Sequence, residues 1–290
     1  MKVLLTGATG FIGRQVLTQL LCVGIETVVV GRTRPEGYLG EFIETDLLQP
    51  EAGATAIANA RATHLLHLAW YAEHGKYWTS PLNLRWVEST VRLVESFCST
   101  GGCQVAVAGT CAEYDWSVGC CHEDSTPLAP ATLYGISKDA TRRLVMAVCE
   151  SYRVPCSWGR VFLPYGPNED GRRLIPSLFE VFKGRRAPFG VNAGVYRDFL
   201  HVDDVAQGFV QLLKTGANGC YNIASGEPIR ISEVVRLIAA ACNADPNPVL
   251  ELASERPGEP NLLVADNSKL KALGWRPRHG LGDIATWWGT

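Results

Sequence analysis

The sequence predicts an α/β fold, a doubly wound parallel sheet with helices on both faces and a smaller α/β lobe beside it. Three observations carry this. Short apolar segments alternate with segments of helical periodicity as far as Phe162. A glycine-rich turn, TGATGFIG (6–13), joins the first apolar segment to the first helical one. After Phe162 the chain turns rich in Pro, Gly and charge before regular patterns resume.

The elements read in order. KVLLTG is a strand ending in glycine, FIGRQVLTQLLCVG a helix, and ETVVV and EFIETDL the second and third strands. ATHLLHLA and QVAVAG are two more buried strands, with the helix LNLRWVESTVRLVESFC between them. ATRRLVMAVCESY is a helix and PCSWGRVF a strand. Runs of this kind, apolar throughout, suit strands covered on both faces. LPYGPNEDGRR reads as a loop, LIPSLFEVFKG as a helix, and YRDFLHVDDVAQGFVQLLK as a strand and a helix. ISEVVRLIAAAC and NSKLKALG are helices of the smaller lobe. The expected division is a cofactor domain, residues 1–162 with about 197–225, and a substrate lobe, about 163–196 with 226–290.

The bulk numbers narrow the classes. A chain of 290 residues holds one large domain or two lobes sharing a core. With 47% hydrophobic and 19% charged residues it has the composition of a soluble globular enzyme. A formal charge of −2 leaves no footprint for nucleic acid or an anionic membrane. No apolar run is long enough to span a bilayer, and the start MKVLLTGATG lacks the apolar stretch of a signal peptide, so the chain reads as cytoplasmic. Ten cysteines are scattered without a CxxC pair, and six histidines form no HxxxH or HxxEH group. They read as free thiols in a reducing compartment, with no metal site.

In TGATGFIG, Gly7 permits the tight turn, Gly10 lets a pyrophosphate approach the backbone, and Gly13 lets the helix pack close to the sheet. The helix N-terminus then offers free N–H groups and partial positive charge to the phosphates. The pattern is that of a Rossmann-type dinucleotide site, spaced GxxGxxG. Thr9, Phe11 and Ile12 in the turn, and Leu47 and Leu68 after the third and fourth strands, complete the expected cofactor contacts. NAD would call for an acid after the second strand to bond the ribose hydroxyls. The chain has Gly31, Arg32, Thr33 and Arg34 there. Arg32 can clamp a 2′-phosphate through paired charged hydrogen bonds, which favours NADP over NAD. Asp46, at the end of the third strand, is placed to meet the adenine edge.

LYGISK puts Tyr134 and Lys138 four residues apart near a helix start, one turn from each other on one face. A neighbouring ammonium favours the phenolate, so the pair can move a proton to or from a sugar hydroxyl or ketone. Thr110, in GTCAEYDW (109–116), follows a strand at the carboxyl end of the sheet, where its hydroxyl can bond the reacting oxygen.

TGATGFIG, Thr110, the Tyr134–Lys138 pair and YRDFLHVDD (196–204) together resemble the extended short-chain dehydrogenase/reductases that act on nucleotide sugars. The resemblance covers essentially the whole chain and is closest to the NDP-4-keto-6-deoxyhexose reductases. It implies that Tyr134 is the general acid/base, that Lys138 also bonds the nicotinamide ribose, and that Thr110 orients the substrate oxygen. It implies that Arg197 and Arg256 grip the diphosphate of a nucleotide-sugar substrate, a task that suits fixed planar donors. It also implies a homodimer formed through helices beside the cofactor lobe.

Departures from the family's patterns choose among chemistries. Its 4,6-dehydratases carry Glu, often preceded by Asp, where this chain has Cys111 and Ala112. Glu113 is one residue off and on a strand-like path faces the other side. Epimerase–reductases resembling GDP-fucose synthase put Cys where Ala112 stands and His where Arg173 stands. Its 4-epimerases usually have Asn at the position of Leu163 and an acid at Gly31–Arg32. The expected reaction is therefore NADPH-dependent reduction of a C4 ketone. The alternatives are an NAD-dependent NDP-hexose 4-epimerase and a non-catalytic dinucleotide-sensing protein. WYAEHGKYW (70–78) adds an aromatic cluster that suits a wall of the sugar pocket or plain packing. His67 and Asn83 belong near the cofactor or a structural turn, with no chemistry assigned.

Overall fold

The computed structural model describes residues 1–284 and 286. From the N-terminus, β1 (Lys2–Thr6), α1 (Phe11–Cys22), β2 (Glu26–Gly31), β3 (Glu41–Glu44), α2 (Pro50–Ala60), β4 (His64–His67), α3 (Leu82–Ser99) and β5 (Gln104–Thr110) alternate. A short 3₁₀ turn (Cys111–Glu113) and β6 (Cys120–Cys121) lead to α4 (Leu133–Tyr152) and β7 (Cys156–Val161). β8 (Leu163–Tyr165), α5 (Leu174–Phe182), β9 (Tyr196–His201), α6 (Val202–Lys214) and β10 (Gly219–Ile223) follow. The chain continues through β11 (Pro228–Arg230), α7 (Ile231–Ala241), α8 (Asn247–Leu250), β12 (Leu262–Ala265) and α9 (Ser268–Ala272).

Among the described residues the main sheet has seven strands in the order β3-β2-β1-β4-β5-β7-β10, all parallel. This is the doubly wound Rossmann-type α/β sheet that the alternation predicts. Its strands bury both faces, with side chains alternating between two cores. Val3 and Leu5 pack with α1 and α6 on one side, while Leu4 faces the core formed with α2, α3 and α4. The strand order reverses at β1/β4, the switch point where such sheets bind ligands.

A smaller sheet joins β11, β9, β12 and β6, with β8 added beside β9. Above it, α5 and α7 form a separate core around Ile175, Leu178, Phe179, Val234 and Ile238. β10 belongs to the main sheet although it follows β8 and β9 in the chain, so the two sheets interleave. Positions 285 and 287–290 of the segment assigned to the smaller lobe lie outside the described residues.

The structure differs from expectation in three places. LPYGPNEDGRR is not all loop: Leu163–Tyr165 pairs in parallel with Phe199–His201 as β8. Pro164 has no N–H, and a three-residue strand shows no periodicity, so the pairing leaves no mark in sequence. The third strand stops at Glu44, and Asp46 lies in the turn beyond it, its carboxylate accepting the Leu48 N–H at 3.1 Å. PEAGATAIANA forms α2, a helix that its small residues do not announce.

The glycine turn leaves no steric slack. Gly7 has φ +75° and a Cβ there would lie 2.7 Å from Ala69 N, because β4's exit crosses it. A Cβ on Gly13 would lie 2.0 Å from Gly7 O, so α1 can start here only with glycine. A Cβ on Gly10 meets nothing nearer than Gly7 O at 3.2 Å, which leaves that face open. Gly13→Ala is expected to cost about 1–3 kcal/mol through overpacking against backbone, read as a lowered urea midpoint.

Candidate active site

A cleft of about 640 Å³ opens over the carboxyl ends of β1, β4 and β5. Its walls bring together all the residues expected to hold the cofactor: Gly7, Thr9, Gly10, Phe11, Ile12, Gly13, Arg32, Asp46, Leu47, Leu68 and Lys138. At one end, Arg32 is exposed and has no side-chain partner among the described residues, whereas Arg34 is bonded to the carbonyls of Tyr38 and Gly40. The Thr45 hydroxyl beside it is buried and without a hydrogen-bond partner among the described residues. An open glycine cradle, a free guanidinium and an unused buried hydroxyl in one cleft fit an adenine dinucleotide.

Thr110, Tyr134 and Lys138 line the same cleft at its other end. Thr110 ends β5 and caps the 3₁₀ turn, its Oγ1 accepting the Ala112 N–H at 3.2 Å. Thr132 caps α4 by accepting the Gly135 N–H. A Cβ on Gly135 would lie 2.4 Å from Ala112 O. That close approach seats the first turn of α4, with Tyr134, against the turn that carries Thr110. Burial pushes the Tyr134 phenol up, and the Thr110 hydroxyl bonded to it opposes the rise. The ammonium expected to act on that phenol is engaged elsewhere here. Lys138 Nζ donates to Ala108 O at 2.9 Å and lies 3.8 Å from the centre of the Trp70 ring. Burial lowers Lys138 to about 7, opposed by the Glu113 carboxylate.

The two positions that could carry extra acid–base groups separate cleanly. The Cys111 thiol reaches the cleft wall but is kept protonated, chiefly by burial. Glu113 turns away from the cleft, as expected, although it does so on a 3₁₀ turn and not along a strand. It is fully buried. Its Oε1 accepts from Thr110 N at 2.9 Å and Trp158 Nε1 at 2.8 Å, and its Oε2 accepts from Arg160 Nε at 2.8 Å. Arg160 in turn donates to the Tyr114 hydroxyl at 2.9 Å, which donates to Asn222 Oδ1 at 2.8 Å. The sequence signal for this network is an arginine inside the buried strand SWGRVF, a position that requires a counter-charge.

WYAEHGKYW lines the cleft with Trp70, Tyr71, Tyr77 and Trp78. Tyr77 and Trp78 meet the Tyr134 ring edge-on at 4.8 and 5.7 Å. Asn83 shapes this loop: its Nδ2 donates to the carbonyls of Tyr77 and Ser80, and its Oδ1 accepts from Trp70 Nε1 at 2.8 Å. His67 is likewise structural. Its ring bridges the hydroxyls of Thr6 at 2.8 Å and Thr90 at 3.0 Å, and burial, then the Lys138 charge, lower it to about 3.

Arg197 and Arg256 do come together, in a second pocket of about 220 Å³. His74, Leu163 and Arg173 border both cavities, so the two lie side by side. Arg197 is buried and paired with Glu259 at 2.7 Å, and Arg256 reaches Gly190 O at 3.4 Å. Glu169, pushed up to about 7 by burial against the opposing Arg173 charge, pairs with Arg173 at 3.0 Å. Among the described residues His201, Asp203 and His279 stand close enough to share an ion. His201 Nδ1 accepts the Asp203 N–H, the N-cap bond of α6.

Comparison with known proteins adds the following. Residues 3–224 match the family model described as the NAD dependent epimerase/dehydratase family. A trifunctional UDP-glucose 4,6-dehydratase/UDP-4-keto-6-deoxy-D-glucose 3,5-epimerase/UDP-4-keto-L-rhamnose-reductase of Arabidopsis thaliana is 30% identical over 173 residues, 58% of this chain and 26% of that protein. The chain thus spans about a quarter of the length of the trifunctional relatives. A UDP-glucose 4-epimerase of Halalkalibacterium halodurans is 25% identical, with 96% of this chain and 91% of that protein covered. The structure of the Thermus thermophilus UDP-glucose 4-epimerase in complex with NAD is similar with a TM-score of 0.84, at 27% identity, over 99% of this chain and 97% of that one.

Removing the buried carboxylate in Glu113→Ala leaves Arg160 charged in the core. A loss of about 3–5 kcal/mol in unfolding free energy is expected, measurable by urea denaturation.

Proposed function

This chain belongs to the NAD dependent epimerase/dehydratase family, and on that premise we propose that it reduces the C4 ketone of an NDP-4-keto-6-deoxyhexose with NADPH. The observation that carries this reading is the composition of the cleft's inner end. Thr110, Tyr134 and Lys138 meet there, while Glu113 is turned into the core and the Cys111 thiol stays neutral. A proton donor is therefore present, and the added acid–base pair that resemblance associates with dehydration is absent.

A nicotinamide supplies the hydride in this chemistry. The chain's own groups do the rest. Thr110 would orient the carbonyl oxygen and Tyr134 would deliver the proton to it, while Lys138 would hold the ribose side of a bound nicotinamide nucleotide. The adjacency of the two cavities, which share His74, Leu163 and Arg173, supports a nucleotide sugar: a hexose lying by Tyr134 would have its diphosphate on the side of Arg197 and Arg256. On this reading the lobe around that second pocket, about 163–196 with 226–290, holds the substrate, and residues 1–162 with about 197–225 hold the cofactor.

NADP is favoured by Arg32, which stands free at the cleft wall after β2, where an acid would be needed to select NAD. The second reading, an NAD-dependent 4-epimerase, draws support from the likeness to the NAD-bound UDP-glucose 4-epimerase. Assembly follows by the same reasoning. Ile136 and Leu144 of α4 and Leu84 of α3 are 51%, 48% and 58% exposed, an apolar face suited to a second copy.

Mixing the protein with NADPH and dTDP-, UDP-, GDP- or CDP-4-keto-6-deoxyhexoses should consume NADPH with one nucleotide preferred. Tyr134→Phe should lower kcat at least about a hundredfold while cofactor affinity is retained. Arg32→Ala should raise KM for NADPH roughly tenfold or more, with little change for NADH; an equal effect on both cofactors would contradict the assignment. Leu144→Glu should convert a dimer to monomer in sedimentation.

A further inference from the structure

Lys138 is buried at the cleft floor, and one hydrogen bond, to Ala108 O, does not compensate an ammonium there. The charged group acting on it is Glu113, at the end of the 3₁₀ turn that follows β5. From β4, His67, a ring kept neutral, feels its charge; on its own helix Tyr134, one turn earlier, is a phenol kept neutral. What lies directly on the ammonium is the face of an indole. Trp70 presents its ring 3.8 Å from Nζ, well inside the range of a strong cation–π contact.

The orientation of that ring is fixed from behind. Trp70 Nε1 donates to Asn83 Oδ1 at 2.8 Å, and the indole stacks on Trp86 at 6.1 Å with 28° between planes. Asn83 is itself fully buried and spends its amide on the same loop. The loop reaches Tyr134 too: Trp78 O accepts the Tyr134 N–H at 3.1 Å. One segment, 70–78, thus touches both members of the Tyr134–Lys138 pair.

We propose that Trp70 is a positioning residue for this pair, its indole face holding the Lys138 side chain in place and charged at the cleft floor. Plain packing would account for the stack on Trp86 but not for a cation set over the ring. The role holds for reduction and epimerisation alike, since both need Lys138 beside Tyr134. It depends only on Lys138 belonging to the proton-transfer set.

The sign follows from the contact. A ring face favours the charged form, so removing it lowers the Lys138 pKa, and the ammonium is lost at lower pH. The test is an NMR titration of the lysine ¹⁵Nζ signals in the cofactor-free protein, with Lys138 assigned by the signal missing in Lys138→Arg. Trp70→Leu is expected to titrate about one pH unit below the natural protein. Trp70→Phe, which keeps a weaker ring face, should fall between them. No substrate is involved, so failure here is separable from failure of the reductase assay. Equal Lys138 titration in all three proteins would overturn the proposal. Should Trp70→Leu not fold, a Trp70→Phe midpoint equal to or above the natural one would overturn it equally.

Discussion

The Glu113 carboxylate lies in the core without exposed surface, and the turn that carries Thr110 is arranged around it. A buried charge is tolerated only where a partner and hydrogen bonds compensate it. Arg160, Trp158 and the Thr110 amide do so, each within 2.9 Å. Those bonds clamp the 3₁₀ turn after β5. Gly109 has no room for a side chain, since a Cβ would lie 2.1 Å from Trp158 Nε1. The clamped turn exposes Thr110 to the cleft and offers Ala112 O as the surface on which Gly135 sits. The first turn of α4, with Tyr134, is thereby placed by a carboxylate that faces away from the cleft.

A second constraint operates at the β1/β4 switch point. The Gly7 turn and the exit of β4 touch, and His67 ties β1, β4 and α3 through two hydroxyls. A rigid floor results, from which the aromatic loop 70–78 departs. The glycine turn and the aromatic loop that lines the cleft therefore hang from one pair of strands. The cleft is lined largely from turns and helix ends, while buried strands form the scaffold.

Much of this is legible in sequence. The alternation of apolar runs and amphipathic helices points to the parallel sheet, and TGATGFIG locates the cleft, because glycine spacing records where backbone must approach backbone. Thr110, Tyr134 and Lys138 are readable for a similar reason: strand end and helical spacing fix their places. Other features are hidden. Two-residue β6 and three-residue β8 and β11 are too short to show a period, and α2 is rich in Ala and Gly with little amphipathic contrast. The contact between Trp70 and Lys138, separated by 68 positions in sequence, is tertiary and has no local signature. The partners of Lys138 escape the sequence for the same reason: spacing places it by Tyr134, but burial and an indole decide its charge.

In the proposed reduction a hydride passes from supplied NADPH to C4 of a 4-keto sugar nucleotide, with Tyr134 as proton donor. The most direct measurement uses NADPH deuterated at nicotinamide C4, in separate samples for each face, and mass spectrometry of the sugar nucleotide formed. Reduction predicts one deuterium at sugar C4 per NADPH consumed, from one of the two faces only. A saturated NDP-hexose interconverted with its C4 epimer, without deuterium gained and without NADPH consumed, would contradict it.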